Sequence, residues 1–176
     1  MKLLNEISEK GLGVSEIEIL GKAFTLRKSA RAVLLNNKNE VSIQYVGKYN
    51  FYKLPGGWLD DGETVEHALR REILEEVGCK ITIESELGVV IEYRTKSDTM
   101  LISHGYVCRV KGEVGDSQYE QVEIDQGYKT IWKSMDESIA LVDTHCPEDP
   151  YQAKFIVERE KSFLIEAKRI LEDNRV

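Results

Sequence analysis

The sequence has only three cysteines, and it has no long uninterrupted run of apolar residues. The odd number of cysteines and the absence of C-x-x-C spacing argue against a disulfide framework and favour a reduced, cytoplasmic compartment. No apolar run approaches the ~20 residues that a membrane-spanning helix needs, so no membrane partner is expected. The first twenty residues place Glu6, Glu9 and Lys10 among the apolar ones, which does not resemble a secretory signal peptide.

Basic residues are outnumbered, with 24 lysines and arginines against 31 acidic residues and a net charge of -7. This balance argues against binding to duplex nucleic acid, which depends on lysine and arginine at phosphates. It does not exclude a phosphate-bearing small molecule, because a bound cation reverses the local sign of charge. A length of 176 residues with 41% hydrophobic residues predicts one folded domain.

We predict an N-terminal extension at residues 1–22, followed by a single domain at residues 23–176. The extension could be an arm for homodimerisation or a lid over a substrate, but packing on the domain as a strand or helix is favoured. The apolar residues that could form a short helical face in it are Leu3, Leu4 and Ile7.

Short runs rich in β-branched and large apolar residues predict the strands. These runs are Ala23–Leu26, Ala30–Leu35, Val41–Val46, Phe51–Leu54, Ile81–Ile83, Leu87–Tyr93, Met100–Val110 and Tyr128–Trp132. Residues 112–126 are polar and predicted to form a loop. A short helix is predicted at Asp136–Val142, and a long one begins with Asp149 as N-cap and Pro150 at its first position. This order predicts an α/β fold, a mixed α+β sheet covered by helices on both faces.

The most informative segment is a Gly-Gly turn followed by an acidic helix that is predicted between Thr64 and Gly78. At about 100° per residue, Glu72, Glu75 and Glu76 share an arc of ~100° on this helix. The Glu72–Glu76 repulsion costs ~0.2–0.5 kcal/mol unless a cation offsets it. Such carboxylates suit a hard divalent cation, whereas the alternative is a solvated acidic face.

The segment resembles the Nudix box, G-x5-E-x7-R-E-U-x-E-E-x-G-U with U a bulky aliphatic residue. Cys79 is the one departure, at the last position, where a small buried hydrophobe is tolerated. The resemblance to MutT-like Nudix hydrolases implies an α/β/α sandwich with a mixed β-sheet between helices. The matching residues are Gly57, Glu63, Arg71, Glu72, Ile73, Glu75, Glu76 and Gly78.

The resemblance also implies the site chemistry. The metal ligands would be the Gly56 carbonyl, Glu72, Glu75 and Glu76, holding Mg²⁺, with Mn²⁺ as an alternative. Glu75 could instead position water, and Arg71 could bridge Glu63 to a metal-binding glutamate. Water would then attack a diphosphate phosphorus of a nucleoside triphosphate or nucleoside diphosphate derivative.

The resemblance implies a general base that is either a box glutamate or a glutamate of a downstream loop. In that loop Glu123 is favoured over Glu120, although either could be only a solvated loop charge. Other site residues are predicted from their chemistry and position. Gly57 lets a phosphate approach the backbone, and Lys53 or Arg31 could bind phosphates. Tyr52, with Tyr49 and Phe51, could stack a base, although packing roles are as plausible. The histidines have no zinc spacing and are assigned no role.

Three functions are therefore compared. The first is a metal-dependent hydrolase of a small-molecule nucleotide. The second is a Nudix-like sensor that binds a nucleotide without turnover, which the complete glutamate set disfavours. The third is a pyrophosphohydrolase of RNA 5′ ends.

Overall fold

A computed structural model describes residues 1–15, 19–144 and 150–173 of the chain. These residues form seven strands and four helices, with one short 3-10 turn at Gly47–Tyr49. None of the described helices is long and apolar enough to cross a membrane. The strands are β1 Leu3–Ser8, β2 Thr25–Leu35, β3 Val41–Val46, β4 Phe51–Lys53, β5 Lys80–Arg94, β6 Thr99–Lys111 and β7 Tyr128–Lys133, and the helices are α1 Val65–Val77, α2 Gln121–Asp125, α3 Met135–Val142 and α4 Pro150–Asp173.

The strands form one mixed sheet in the order β1-β5-β6-β2-β3-β4, and β7 also pairs with β3. The β1–β5 and β2–β6 pairs are parallel, whereas the β5–β6, β2–β3, β3–β4 and β3–β7 pairs are antiparallel. The predicted mixed sheet is confirmed.

Successive side chains of β2 point to opposite faces of the sheet. Apolar side chains on both faces explain why helices cover both of them. Ala30, Ala32 and Leu34 pack in the core cluster that α1 completes. Val33 and Leu35 lie in the other core cluster, with apolar residues of α4. The sheet therefore lies between α1 on one side and α3 and α4 on the other, as the sandwich prediction required. The α1 residues in the first cluster are Ala68, Leu69, Ile73 and Val77, and the α4 residues in the second are Phe155, Phe163, Leu164 and Ala167.

Helix α1 has the predicted ends. The Thr64 hydroxyl accepts a hydrogen bond from the His67 amide at 3.2 Å, so Thr64 is the N-cap. Gly78 ends the helix with φ of 72°, in the left-handed region that glycine adopts without strain. The proposed Asp149 cap of α4 lies outside the described residues.

Three boundary predictions were wrong. The two strands predicted between Ala23 and Leu35 are the single strand β2, because β6 pairs with it along its whole length, including the polar residues. The two predicted between Ile81 and Tyr93 are the single strand β5, which contains two register shifts where it pairs with β6. The predicted loop at residues 112–126 contains the short helix α2.

The predicted helical face near the N-terminus was also wrong, because this segment is strand β1, paired in parallel with β5. The chain after β1 is fixed by the buried carboxylate of Glu9. This carboxylate accepts hydrogen bonds from the Thr95 amide at 2.9 Å and the Lys96 amide at 3.3 Å. The hydroxyls of Thr95 and Tyr151 also donate to it. Glu9 therefore joins the N-terminal segment to the β5–β6 turn and to α4.

We expect Glu9→Gln to lower the free energy of unfolding by about 1–3 kcal/mol at neutral pH, because a buried charged acceptor is lost. Burial raises the pKa of Glu9, but the hydrogen bonds outweigh it, and the pKa lies below the ordinary value of 4.5. A lowered pKa gives stability that is present above the unfolded-state pKa and is lost as pH falls through the folded-state pKa. Urea unfolding at neutral and acidic pH should therefore show the difference from wild type shrinking in acid.

The matched control is Glu6→Gln, because Glu6 is exposed and, among the described residues, its carboxylate accepts a single long hydrogen bond, from Tyr93 at 3.2 Å. Its unfolding free energy should stay close to that of wild type. Equal stability of Glu9→Gln and wild type at neutral pH would contradict the role given to Glu9.

Candidate active site

A cleft of about 390 Å³ lies between the Gly-Gly turn, α1, α2 and the start of β7. It is strongly polar, with six carboxylates and three cationic side chains in its lining. The excess of acidic groups means that a cation or a proton is needed to balance the site when a phosphate enters. The lining residues are Arg31, Lys53, Gly56, Gly57, Trp58, Asp60, Arg71, Glu72, Glu75, Glu76, Glu120, Val122, Glu123, Gln126 and Tyr128.

Glu76 forms the buried floor of the cleft. Its side chain is 1% exposed, and its Oε1 lies 2.9 Å from the Lys53 Nζ. Its Oε2 accepts a hydrogen bond from the Gly56 amide at 2.6 Å. Burial lowers the pKa of Lys53, but the charge of Glu76 raises it, and the pKa lies above its ordinary value. The contacts of Glu76 therefore fix Lys53 and the Gly-Gly turn to α1.

Arg71 holds the other box carboxylates. Its Nε and Nη2 donate to the two oxygens of Glu63 at 3.1 and 3.0 Å, a bidentate contact. Its Nη1 donates to Glu72 at 2.9 Å and to Glu75 at 3.1 Å. Hydrogen bonds from Arg71 lower the pKa of Glu63. Arg71 thus lies between Glu63 and two of the three glutamates predicted to bind metal, Glu72 and Glu75.

Close contacts surround the two glycines of the turn. Gly56 has φ of 124°, and a Cβ there would overlap the carbonyl oxygen of Ala30. A Cβ on Gly57 would overlap the carboxylate of Glu72. The Gly56 carbonyl accepts a hydrogen bond from Nη1 of Arg31, a buried residue of β2. The Gly56 obstacle is backbone, so the turn can lie this close to β2 only because Gly56 has no side chain, whereas at Gly57 the flexible Glu72 side chain could move away.

The donor set of the cleft suits a hard cation. Its negative groups are all carboxylates, and these have the oxygen ligands that Mg²⁺ and Mn²⁺ prefer. Burial and the neighbouring Glu76 raise the pKa of Glu72, so a nearby positive charge would stabilise its ionised form. In the described parts of the chain, no three acidic, histidine or cysteine side chains converge closely enough to hold a metal ion. The salt bridges to Arg71 and Lys53 engage these carboxylates instead.

The two candidate bases face the cleft from α2. Glu120 and Glu123 both line it, and the Glu123 carboxylate accepts a hydrogen bond from the Glu120 amide at 2.9 Å. Burial raises the pKa of Glu123 despite this hydrogen bond. Glu123 therefore has a raised pKa at the cleft, as a group prepared for proton transfer often does.

The structure does not bring the predicted base-stacking residue Tyr52 to the cleft. Neighbouring residues of a strand point to opposite faces, so Lys53 enters the cleft while Tyr52 packs against the α3–α4 core cluster. Its ring centroid lies 5.0 Å from that of Tyr45. Tyr49 and Phe51 stack on each other at 6.5 Å and are not part of the cleft lining.

Sequence reasoning missed four polar or aromatic residues of the lining. Trp58 and Asp60 are variable positions of the box, so the motif gives them no role. Gln126 is the last residue of the segment predicted as a loop, and Tyr128 lies just after that segment. Only the tertiary fold brings these two residues to α1. The missed residues are Trp58, Asp60, Gln126 and Tyr128.

Comparison with known proteins agrees with this geometry. A family model described as "NUDIX domain" matches residues 25–156. A Bacillus subtilis (strain 168) protein, provisionally named an 8-oxo-dGTP diphosphatase, is 34% identical over 62 residues, 35% of this chain and 42% of that protein. An RNA pyrophosphohydrolase of Sulfurovum sp. (strain NBC37-1) is 38% identical over 58 residues, 30% of this chain and 37% of that protein. The matches thus span about two fifths of these relatives.

The fold has solved counterparts. The crystal structure of a MutT protein from Methanosarcina mazei Go1 superposes with a TM-score of 0.59, covering 89% of this chain and 99% of that one. The identity is 18%, so this likeness concerns the fold alone.

Proposed function

Because the chain belongs to the NUDIX domain family, we propose that it hydrolyses a diphosphate bond in a nucleoside triphosphate or another nucleoside diphosphate derivative. The observation that carries this proposal is that Arg71 joins Glu72 to Glu75 beside the partly buried Lys53–Glu76 pair, at one cleft. A site built only for binding a nucleotide has no need of so many carboxylates near a phosphate. Catalysis that depends on a cation does need them.

The residues that would hold Mg²⁺, or Mn²⁺ in its place, are Glu72, Glu75, Glu76 and the Gly56 carbonyl. When bound, the ion neutralises the diphosphate and lowers the pKa of the attacking water. The same oxygens now accept hydrogen bonds from Arg71, Lys53 and Arg31. If these oxygens bind a cation instead, Arg71, Lys53 and Arg31 become available to bind phosphate oxygens. The exchange of partners would place positive charge where negative charge develops in the transition state.

Glu123 is proposed as the general base that takes the proton of the attacking water. It lines the cleft opposite the α1 glutamates, and burial raises its pKa toward the range in which a carboxylate is an effective base. A base must be deprotonated, so activity should be present above the raised pKa and should fall as pH decreases through it.

We expect Glu123→Gln to lower kcat by about 10²-fold or more, because glutamine cannot accept the proton. The fall of activity on the acidic side of the pH–rate profile should also disappear or move. Steady-state rates against pH for wild type and variant would measure both effects. The control is Glu120→Gln, from the same side of the same cleft, which should stay within about threefold of wild type. Turnover of Glu123→Gln within about threefold of wild type would remove Glu123 from the mechanism.

A phosphate-release screen with Mg²⁺, in which inorganic pyrophosphatase or a phosphomonoesterase converts the cleavage products to phosphate, tests the function itself. The substrates are nucleoside triphosphates, nucleotide sugars, dinucleoside polyphosphates, and capped and triphosphorylated RNA. Hydrolysis of one class of free nucleotide is expected. Binding without hydrolysis in every class would favour the sensor. Turnover on RNA ends with little on free nucleotides would favour the RNA pyrophosphohydrolase, the activity that the name of the Sulfurovum relative gives.

A further inference from the structure

Trp58 is an exposed aromatic residue of the cleft, and the proposed hydrolysis gives it no role. It follows the Gly-Gly turn directly, lines the cleft, and is 37% exposed. Burying an indole ring normally contributes much to stability, so a ring left this exposed beside a site is available to a ligand.

The position of Trp58 is fixed from several sides. Its carbonyl accepts a hydrogen bond from Arg71 Nη2 at 3.1 Å, and its backbone forms a β-bridge with Ser29. The next residue is also tied to β2, since the Leu59 amide donates to the Lys28 carbonyl at 3.1 Å. The guanidinium carbon of Arg27 lies 3.9 Å from the centroid of the Trp58 ring, a cation–π contact. Arg27 therefore covers one face of the ring, and the Trp58 side chain loses little conformational entropy when a ligand binds.

Tyr128, the other aromatic residue of the cleft lining, is less available to a ligand. Lys53 Nζ lies over its ring at 4.9 Å, and Tyr119 meets it edge-on with centroids 5.9 Å apart. Lys53 is in turn fixed by Glu76. Trp58 is thus the better platform for a flat ligand.

We propose that Trp58 is the platform on which the substrate's nucleobase stacks. This inference rests on the proposed function, to which it adds the residue that holds the base. Arg71 contacts the Trp58 carbonyl and the box glutamates Glu72 and Glu75, so the platform lies beside residues of the proposed cation site. Stacking on an indole accepts any base, because every base has a π face.

Fluorescence can test the platform without turnover, because the chain has two tryptophans, Trp58 and Trp132. In a Trp132→Phe variant, Trp58 is the sole indole emitter. Titration with AMP and GMP in the presence of Mg²⁺ should quench its emission saturably, whereas inorganic phosphate and pyrophosphate should not. Emission that does not respond to either nucleotide overturns the proposal.

Kinetics give an independent test on the substrate that the phosphate-release screen identifies. Trp58→Leu should raise KM by about five- to a hundredfold, the range expected for one lost base–aromatic stack, with kcat changed much less. Trp58→Phe keeps an aromatic ring and should remain within a fewfold of wild type. Equal KM values for Trp58→Leu and wild type would overturn the platform while leaving the hydrolase intact. Quenching by nucleotides without any hydrolysis would instead support the platform and refute the proposed function.

Discussion

Glu76→Gln is expected to lower kcat by about 10²–10³-fold, the loss typical of removing one preorganised charged group from a catalytic site. Glu76 is both a proposed cation ligand and the partner of Lys53 and of the Gly56 amide. A glutamine keeps the shape and can still accept from the amide, but it removes the negative charge. Lys53, whose side chain is only 12% exposed, is then left without its counter-charge, so unfolding should also be easier by about 3 kcal/mol. Steady-state kinetics and urea unfolding of the purified variant would separate the two losses.

The control for this effect is Glu66→Gln, on the same helix but absent from the cleft lining. Glu66 is exposed in the first turn, where loss of a favourable helix-dipole contact costs only about 0.3–1 kcal/mol. Its kcat should match that of wild type. If folded Glu76→Gln retained wild-type kcat, Glu76 would have no part in the chemistry.

Gly56→Ala is expected to lower the free energy of unfolding by about 3–5 kcal/mol, through two independent costs. Its φ of 124° is strained for any residue with a Cβ. The added Cβ would also meet the Ala30 carbonyl oxygen, which belongs to the backbone of a central strand and cannot rotate away. The turn must therefore move, and activity should fall with stability because the Gly56 carbonyl and amide both contact the site.

Gly62→Ala measures the cost of backbone strain without the cost of steric overlap. Gly62 also has a positive φ, of 78°, but a Cβ there would meet nothing within 4 Å. Only the backbone strain remains, so a loss of about 1 kcal/mol is expected. Comparable unfolding free energies for the two alanine variants would contradict the close packing of Gly56 against β2.

Local sequence signals predicted the part of the site that one segment supplies. Thr64, the carboxylates of α1 and Gly78 follow helix spacing and capping rules, so the amino-acid pattern alone is enough to place them on α1. Arg71 contacts Glu75 for the same reason, because the two residues lie four positions apart on one helix. The order of strands and helices along the chain similarly predicted a sheet covered on both sides.

Contacts between distant segments could not be derived this way. The Lys53–Glu76 pair joins β4 to α1, and the Arg31 contact to Gly56 joins β2 to the turn. Each depends on strand order and register, which the sequence pattern leaves open. Tyr52 shows the consequence, since a shift of one residue in β4 decides which neighbour faces the cleft. The structure of the N-terminal extension could not be predicted for the same reason, because the pairing of β1 with β5 joins residues more than eighty positions apart.

The central claim is that carboxylates of α1, beside the Gly-Gly turn, make hydrolysis depend on a divalent ion. The most direct measurement is the rate against Mg²⁺ concentration for wild type and for the double variant Glu75→Gln/Glu76→Gln, with folding of both checked by circular dichroism. Wild type should saturate with Mg²⁺, whereas the double variant should show little turnover and a much weaker response to the ion. An unchanged Mg²⁺ dependence with near-wild-type rates in the double variant would contradict the account.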